Sequence, residues 1–112
     1  MPIAVGLAMA IERKSDPDRR VWAFIGDMAW ASGITHDSVQ YARNFNLPLN
    51  VVVECNRLSV NTPTDVVWGS HHDHNPDRGI FTLIKWRKGE VMQYCYERTV
   101  PHMNSGAFVT FQ

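Results

Sequence analysis

An excess of charge of either sign is missing from this sequence: eleven Lys and Arg stand against eleven Asp and Glu in 112 residues, giving zero formal net charge. Nucleic acid and anionic membranes are recognised through a basic stripe that releases counterions, so neither partner is expected. Cysteine is scarce. Cys55 and Cys95 are the whole complement, and they fall neither in a CxxC pair nor in a dense framework, which excludes a disulfide scaffold and suggests two reduced, buried thiols. No apolar run approaches the ~18 residues needed to cross a bilayer. The apolar opening Pro2–Ile11 is followed by Glu12, Arg13 and Lys14, whereas a signal peptide carries its basic residues first. Internal repeats and low-complexity segments are absent too. What is present is a 45% hydrophobic, 11% aromatic composition, enough to fill the core of one domain spanning residues 1–112. The expected setting is soluble and cytoplasmic.

Along the chain, Ile3, Val5, Leu7, Ala8, Ala10 and Ile11 give way to charge by Lys14, which predicts a helix packed closely through Gly6 and Ala10. Ser15, Asp16, Pro17 and Asp18 end it. The unbroken run Val21-Trp22-Ala23-Phe24-Ile25 has the pattern of a strand buried on both faces. Over 31–45, Ile34, Ser38, Tyr41, Ala42 and Phe45 recur at intervals of three or four, predicting an amphipathic helix. Val51, Val52 and Val53 then form a second doubly buried strand, closed by Cys55 and Asn56. Strand, helix and strand within about 35 residues make a βαβ unit with parallel strands, so the fold class is α/β with a parallel sheet. Residues 61–79, rich in Pro, Asn, Asp, His and Gly, predict a long loop. Ile80–Trp86 is ambiguous between strand and short helix. A turn at Lys88-Gly89-Glu90 precedes a further strand in which Val91, Gln93, Cys95 and Glu97 alternate with Met92, Tyr94 and Tyr96.

Asp27 and Asn56 each follow the carboxyl end of a predicted parallel strand, the edge at which open α/β sheets bind ligands. Adjacent strands lie about 4.8 Å apart, so a carboxylate and an amide oxygen there can share one hard cation. Mg²⁺ suits so sparse a donor set, because it completes its shell with water and substrate phosphate. The backbone N–H groups after Asp27 are the expected anion cradle.

The stretch Gly26-Asp27-Met28-Ala29, then Gly33, His36-Asp37 and Leu47-Pro48, ending in Val53-Glu54-Cys55-Asn56, resembles the thiamine diphosphate motif. It is most similar to the alpha subunit of the 2-oxo acid dehydrogenase first component. Val5-Gly6-Leu7-Ala8-Met9-Ala10 and Ser59-Val60-Asn61-Thr62-Pro63-Thr64 resemble that family's flanks, so the likeness covers about residues 2 to 64, with Pro101-His102 less specific. The resemblance implies Mg²⁺ held by Asp27, Asn56 and the main-chain carbonyl of Leu58, with Gly26, Met28 and Ala29 at the diphosphate. It departs from the family in two places. Met28 stands where Gly is usual, bringing a Cβ to a position where positive φ or close phosphate approach is expected, and Cys55 replaces the first Asn of the family pair.

The resemblance also implies that the pyrimidine-binding domain and its activating glutamate come from a partner, as a beta-type subunit supplies them, the chain itself being a truncated diphosphate-binding half that forms a homo- or hetero-oligomer. The expected function is therefore a Mg²⁺-dependent thiamine diphosphate half-site of a 2-oxo acid dehydrogenase-like or transketolase-like enzyme, inactive alone, with no catalytic residue of its own assigned. The competing expectation is a non-catalytic α/β interaction module that has lost its cofactor, favoured by Met28 and Cys55. A third is a metal site in the loop His71-His72-Asp73-His74, since imidazoles and carboxylates ligate transition metals. His36 is expected to be a surface polar residue. Among Trp22, Trp30, Trp68 and Trp86, Trp30 beside the motif turn is the expected subunit contact.

Overall fold

The apolar run that begins at Val21 becomes β1 (Val21–Gly26), but its side chains are not buried on both faces. In the computed structural model, which describes residues 1–69 and 74–99, Val21, Ala23 and Ile25 point into the core, while Trp22 and Phe24 are 54% and 62% exposed. The reason is position. β1 is an edge strand in the sheet order β1-β2-β6-β5, and the core that covers its other side chains lies on one face.

Helix α1 (Pro2–Arg13) starts with proline, whose missing N–H would have had no intrahelical acceptor in the first turn. Arg13 in its last turn complements the helix dipole. Its packing stripe is Met1, Ala4, Val5, Ala8 and Met9, spaced by three and four as one helical face requires. Gly6 and Ala10, expected to make that contact, face outward: a Cβ at Gly6 would meet nothing within 4 Å.

After β1 come a single turn, α2 (Asp27–Trp30), and then α3 (Gly33–Asn44). The buried face of α3 is Thr35, Ser38, Val39 and Ala42, whereas Ile34, Tyr41 and Phe45 from the expected stripe remain largely exposed. Small side chains let the helix approach its neighbours closely; Tyr41 and Phe45 instead stack on each other at 4.4 Å between ring centroids. Trp30 is also not a surface anchor. It is 7% exposed within the core, its ring 4.9 Å from that of His36.

Strand β2 (Leu49–Cys55) is the doubly buried strand that Val51-Val52-Val53 predict, and it pairs parallel to β1 from Val21↔Leu49 through Gly26↔Glu54. The expected loop 61–79 is partly ordered into regular elements. A two-residue pairing joins β3 (Leu58–Ser59) to β4 (Thr62–Pro63), then come helix α4 (Thr64–Trp68) and a 3₁₀ turn at Pro76–Arg78. His71, His72, Asp73 and the Pro101-His102 pair lie outside the described residues.

The ambiguous segment is strand β5 (Phe81–Trp86), antiparallel to β6 (Gly89–Cys95). β6 returns beside β2 and runs parallel to it from Asn50↔Glu90 to Cys55↔Cys95. Three parallel strands therefore share a carboxyl edge. At the opposite end, the hairpin is anchored by Trp86 Nε1 donating to the Leu47 carbonyl at 2.9 Å and by Lys88 Nζ paired with Glu12 at 2.6 Å. Among the described residues no helix is long and apolar enough to cross a membrane.

Candidate cation and diphosphate site

The shared carboxyl edge places Asp27 after β1, Asn56 after β2 and Tyr96 after β6. Since Gly26 is level with Glu54 and Cys55 with Cys95, all three strands deliver their next residues to one place. Gly26 caps α2 with extended backbone and Asp27 is the helix's first residue. Met28 lies inside α2 and is not among the residues of positive φ. The left-handed strain expected where it replaces glycine is therefore absent. Its sulfur accepts a hydrogen bond from Trp68 Nε1 at 3.0 Å, tying α2 to α4. The turn is braced from the other side, because the Ala29 carbonyl accepts from the hydroxyls of Ser32 at 2.7 Å and Thr35 at 2.8 Å.

Asp27 is 1% exposed. Its Oδ2 accepts a hydrogen bond from the fully buried Thr64 hydroxyl at 2.5 Å. Its Oδ1 is buried and, among the described residues, has no hydrogen-bond partner. A buried carboxylate oxygen without a donor is costly unless something positive meets it.

Asn56 is fixed by two hydrogen bonds. Its Oδ1 accepts from the Leu58 N–H at 3.0 Å and its Nδ2 donates to the Tyr96 hydroxyl at 3.1 Å. The first is an Asx-type turn that leaves Arg57 at φ 62°, a left-handed conformation a local side-chain bond helps to hold. Arg57 closes the turn by pairing with Asp65, and its carbonyl accepts from the Thr64 N–H at 2.9 Å. The segment 56–65 is thus a strap whose far end carries the hydroxyl that caps Asp27. Arg98, three residues past β6, donates to the Val60 carbonyl and to Asn61 Oδ1, holding the strap's tip.

A cleft of about 260 Å³ opens beside the strap, lined by Asn56, Arg57, Leu58, Asp65, His74 and Glu97. Burial, the neighbouring Cys95 and the charge of Asp27 push the Cys55 thiol up to about 12. Tyr96 is raised too, by burial and by Glu54.

The two cysteines are free and buried, as the sequence suggests. Their proximity to each other and to His74, whose Nδ1 is 3.5 Å from Cys55 Sγ, is not visible in the sequence. No local signal announces that grouping: the pairing of β2 with β6 brings residues 55 and 95 together, and His74 reaches them through its contacts with Cys55 and Glu97. Asp27 and Asn56 follow adjacent parallel strands at one edge and Leu58 opens β3 just beyond it, whereas His36, on α3, is exposed with its ring against that of Trp30 on α2. No family model and no curated protein matches this chain.

Proposed function

We propose that the edge formed by Asp27 and Asn56 is the Mg²⁺-dependent, diphosphate-binding half of a thiamine diphosphate site, completed by a pyrimidine-binding subunit. The observation that carries this reading is Asp27 Oδ1, buried at the end of β1 with no hydrogen-bond partner among the described residues. The donor chemistry fits a hard cation. A carboxylate oxygen is available, and Asn56 Oδ1, which uses one lone pair on the Leu58 N–H, retains a second.

In this reading Asp27, Asn56 and the Leu58 carbonyl hold the ion, while the backbone of Gly26, Met28 and Ala29 faces the diphosphate. Thr64 orients the Asp27 carboxylate by occupying Oδ2, leaving Oδ1 for the cation. Tyr96 orients the Asn56 amide in the same way. When bound, thiamine diphosphate would supply a thiazolium ring that serves as an electron sink for negative charge at the substrate's carbonyl carbon, the chemistry of decarboxylation or two-carbon transfer. The chain itself contributes binding and orientation, so catalysis awaits the partner.

Calorimetric titration tests the reading with two probes, Mg²⁺-pyrophosphate, which does not require the pyrimidine-binding domain, and Mg²⁺-thiamine diphosphate. Heat that disappears with chelator and in Asp27→Asn is expected. No heat from either probe, alone or with a beta-type subunit, overturns it. A second reading, a non-catalytic interaction module, draws support from the open sheet face carrying Trp22 and Phe24; it is favoured if both probes are silent and the chain self-associates.

A further inference from the structure

We propose that Cys55, Cys95 and His74 form a zinc site, separate from the hard-cation position at Asp27. One ligand atom from each of these residues, two thiol sulfurs and an imidazole nitrogen, lies within 4.8 Å of the other two. A tetrahedral zinc with Zn–S of about 2.3 Å and Zn–N of about 2.05 Å requires an S···N edge of roughly 3.6 Å and an S···S edge of roughly 3.8 Å. The Cys55 Sγ to His74 Nδ1 edge is already 3.5 Å. The other edges need to close by no more than about 1 Å, within the reach of side-chain rotation.

The surroundings have the features of a ligand set and not of a chance contact. Cys55 and Cys95 are register partners on adjacent parallel strands, so their backbones are held by the sheet. Glu97 Oε1 lies 3.0 Å from His74 Nε2. A carboxylate there keeps the ring proton on Nε2 and leaves the Nδ1 lone pair directed at Cys55, the carboxylate–histidine–metal arrangement that orients ligating imidazoles. Gln93 Nε2 donates to Cys95 Sγ at 3.4 Å, a bond that stabilises a sulfur carrying negative charge. Thiolate and imidazole are ligands of borderline-soft metals, whereas Mg²⁺ takes oxygen, so the two neighbouring positions select different ions. Three protein ligands would leave a fourth position for water, and His74 also lines the cleft. Binding would pin residue 74 to the ends of β2 and β6.

The test is metal content and cobalt spectroscopy on the reduced full chain, dialysed against zinc and then against metal-free buffer. One zinc per chain is expected, together with intense sulfur-to-cobalt charge-transfer bands and tetrahedral d–d bands on Co²⁺ substitution. Cys95→Ala and His74→Gln should each lose stoichiometric retention, and Glu97→Ala should weaken binding about tenfold. His74→Gln keeps the test decisive if the cysteine variant fails to fold, since it changes no strand residue. Folded, reduced wild-type chain that retains no zinc overturns the proposal, as does undiminished retention by His74→Gln, which would locate the ion elsewhere. A Cys55–Cys95 disulfide in reductant-free protein, with no zinc uptake after reduction, overturns it equally.

Discussion

Gly89→Ala should be among the most damaging single changes to this chain, although it adds one methyl group. Gly89 is the first residue of β6 and is buried. A Cβ there would lie 2.0 Å from the Leu49 carbonyl oxygen, 2.7 Å from Trp86 Cζ2 and 2.9 Å from the Leu49 carbonyl carbon. Carbon and oxygen in contact stay about 3.3 Å apart, so β6 must retreat from β2 by more than about 1 Å. Two of the obstructing atoms are backbone and cannot rotate away. A ladder hydrogen bond stretched by that amount passes the usual ~3.2 Å limit. Overpacking costs about 1–3 kcal/mol, and one or two weakened ladder bonds add about 1 kcal/mol each, for a loss of roughly 2–5 kcal/mol.

Against a total of order 5–15 kcal/mol for a small domain, that is a large fraction. Displacing the Trp86 ring would also strain its bond to the Leu47 carbonyl. Urea denaturation followed by tryptophan fluorescence measures the loss. Gly6→Ala is the matched control, because its new Cβ meets nothing within 4 Å inside helix α1, and it should stabilise by about 0.5–1 kcal/mol. Equal stability of the Gly89→Ala chain and wild type would refute the close approach of β6 to β2 at Leu49.

Thr64→Val removes the only donor to Asp27 Oδ2 among the described hydrogen bonds while nearly preserving shape; the expected loss is about 1.5–3 kcal/mol in urea, and a loss below about 0.5 kcal/mol would mean the bond is not buried as described. Tyr94 donates to Glu54 at 2.6 Å, and that bond, burial and the carboxylate charge raise its phenol from 10.0 to about 12. A phenol raised in the folded state contributes stability that is complete below the unfolded value and lost as pH climbs through the folded one, so wild type should weaken between pH 10 and about 12. Tyr94→Phe should flatten that part of the profile, and an unchanged alkaline slope in pH-dependent denaturation would refute the coupling to Glu54.

Much of the framework is legible in local pattern. Val21–Ile25 and Val51–Val53 are apolar runs of strand length, and the Gly26-Asp27 and Cys55-Asn56 endings mark where each strand stops. Two errors have a common origin. An apolar run does not distinguish a central strand from an edge strand, so β1 was expected to be covered on the face that Trp22 and Phe24 leave open. Hydrophobicity likewise does not rank small residues above large ones: of the expected α3 stripe Ser38 and Ala42 are buried, but Ile34, Tyr41 and Phe45 are not, and close packing adds Thr35 and Val39 instead.

Local sequence, through backbone propensity and apolar spacing, determined the βαβ unit and the two polar residues at its strand ends. Tertiary structure alone decided what surrounds them. β6 pairs with β2 and not with β1, and that choice sets Tyr96 against Asn56, Cys95 against Cys55 and, with the chain between them, His74 beside both thiols. Strand order is settled by which faces bury best when the whole sheet assembles, a comparison between segments some forty residues apart along the chain, and no window short enough to be read for periodicity contains it.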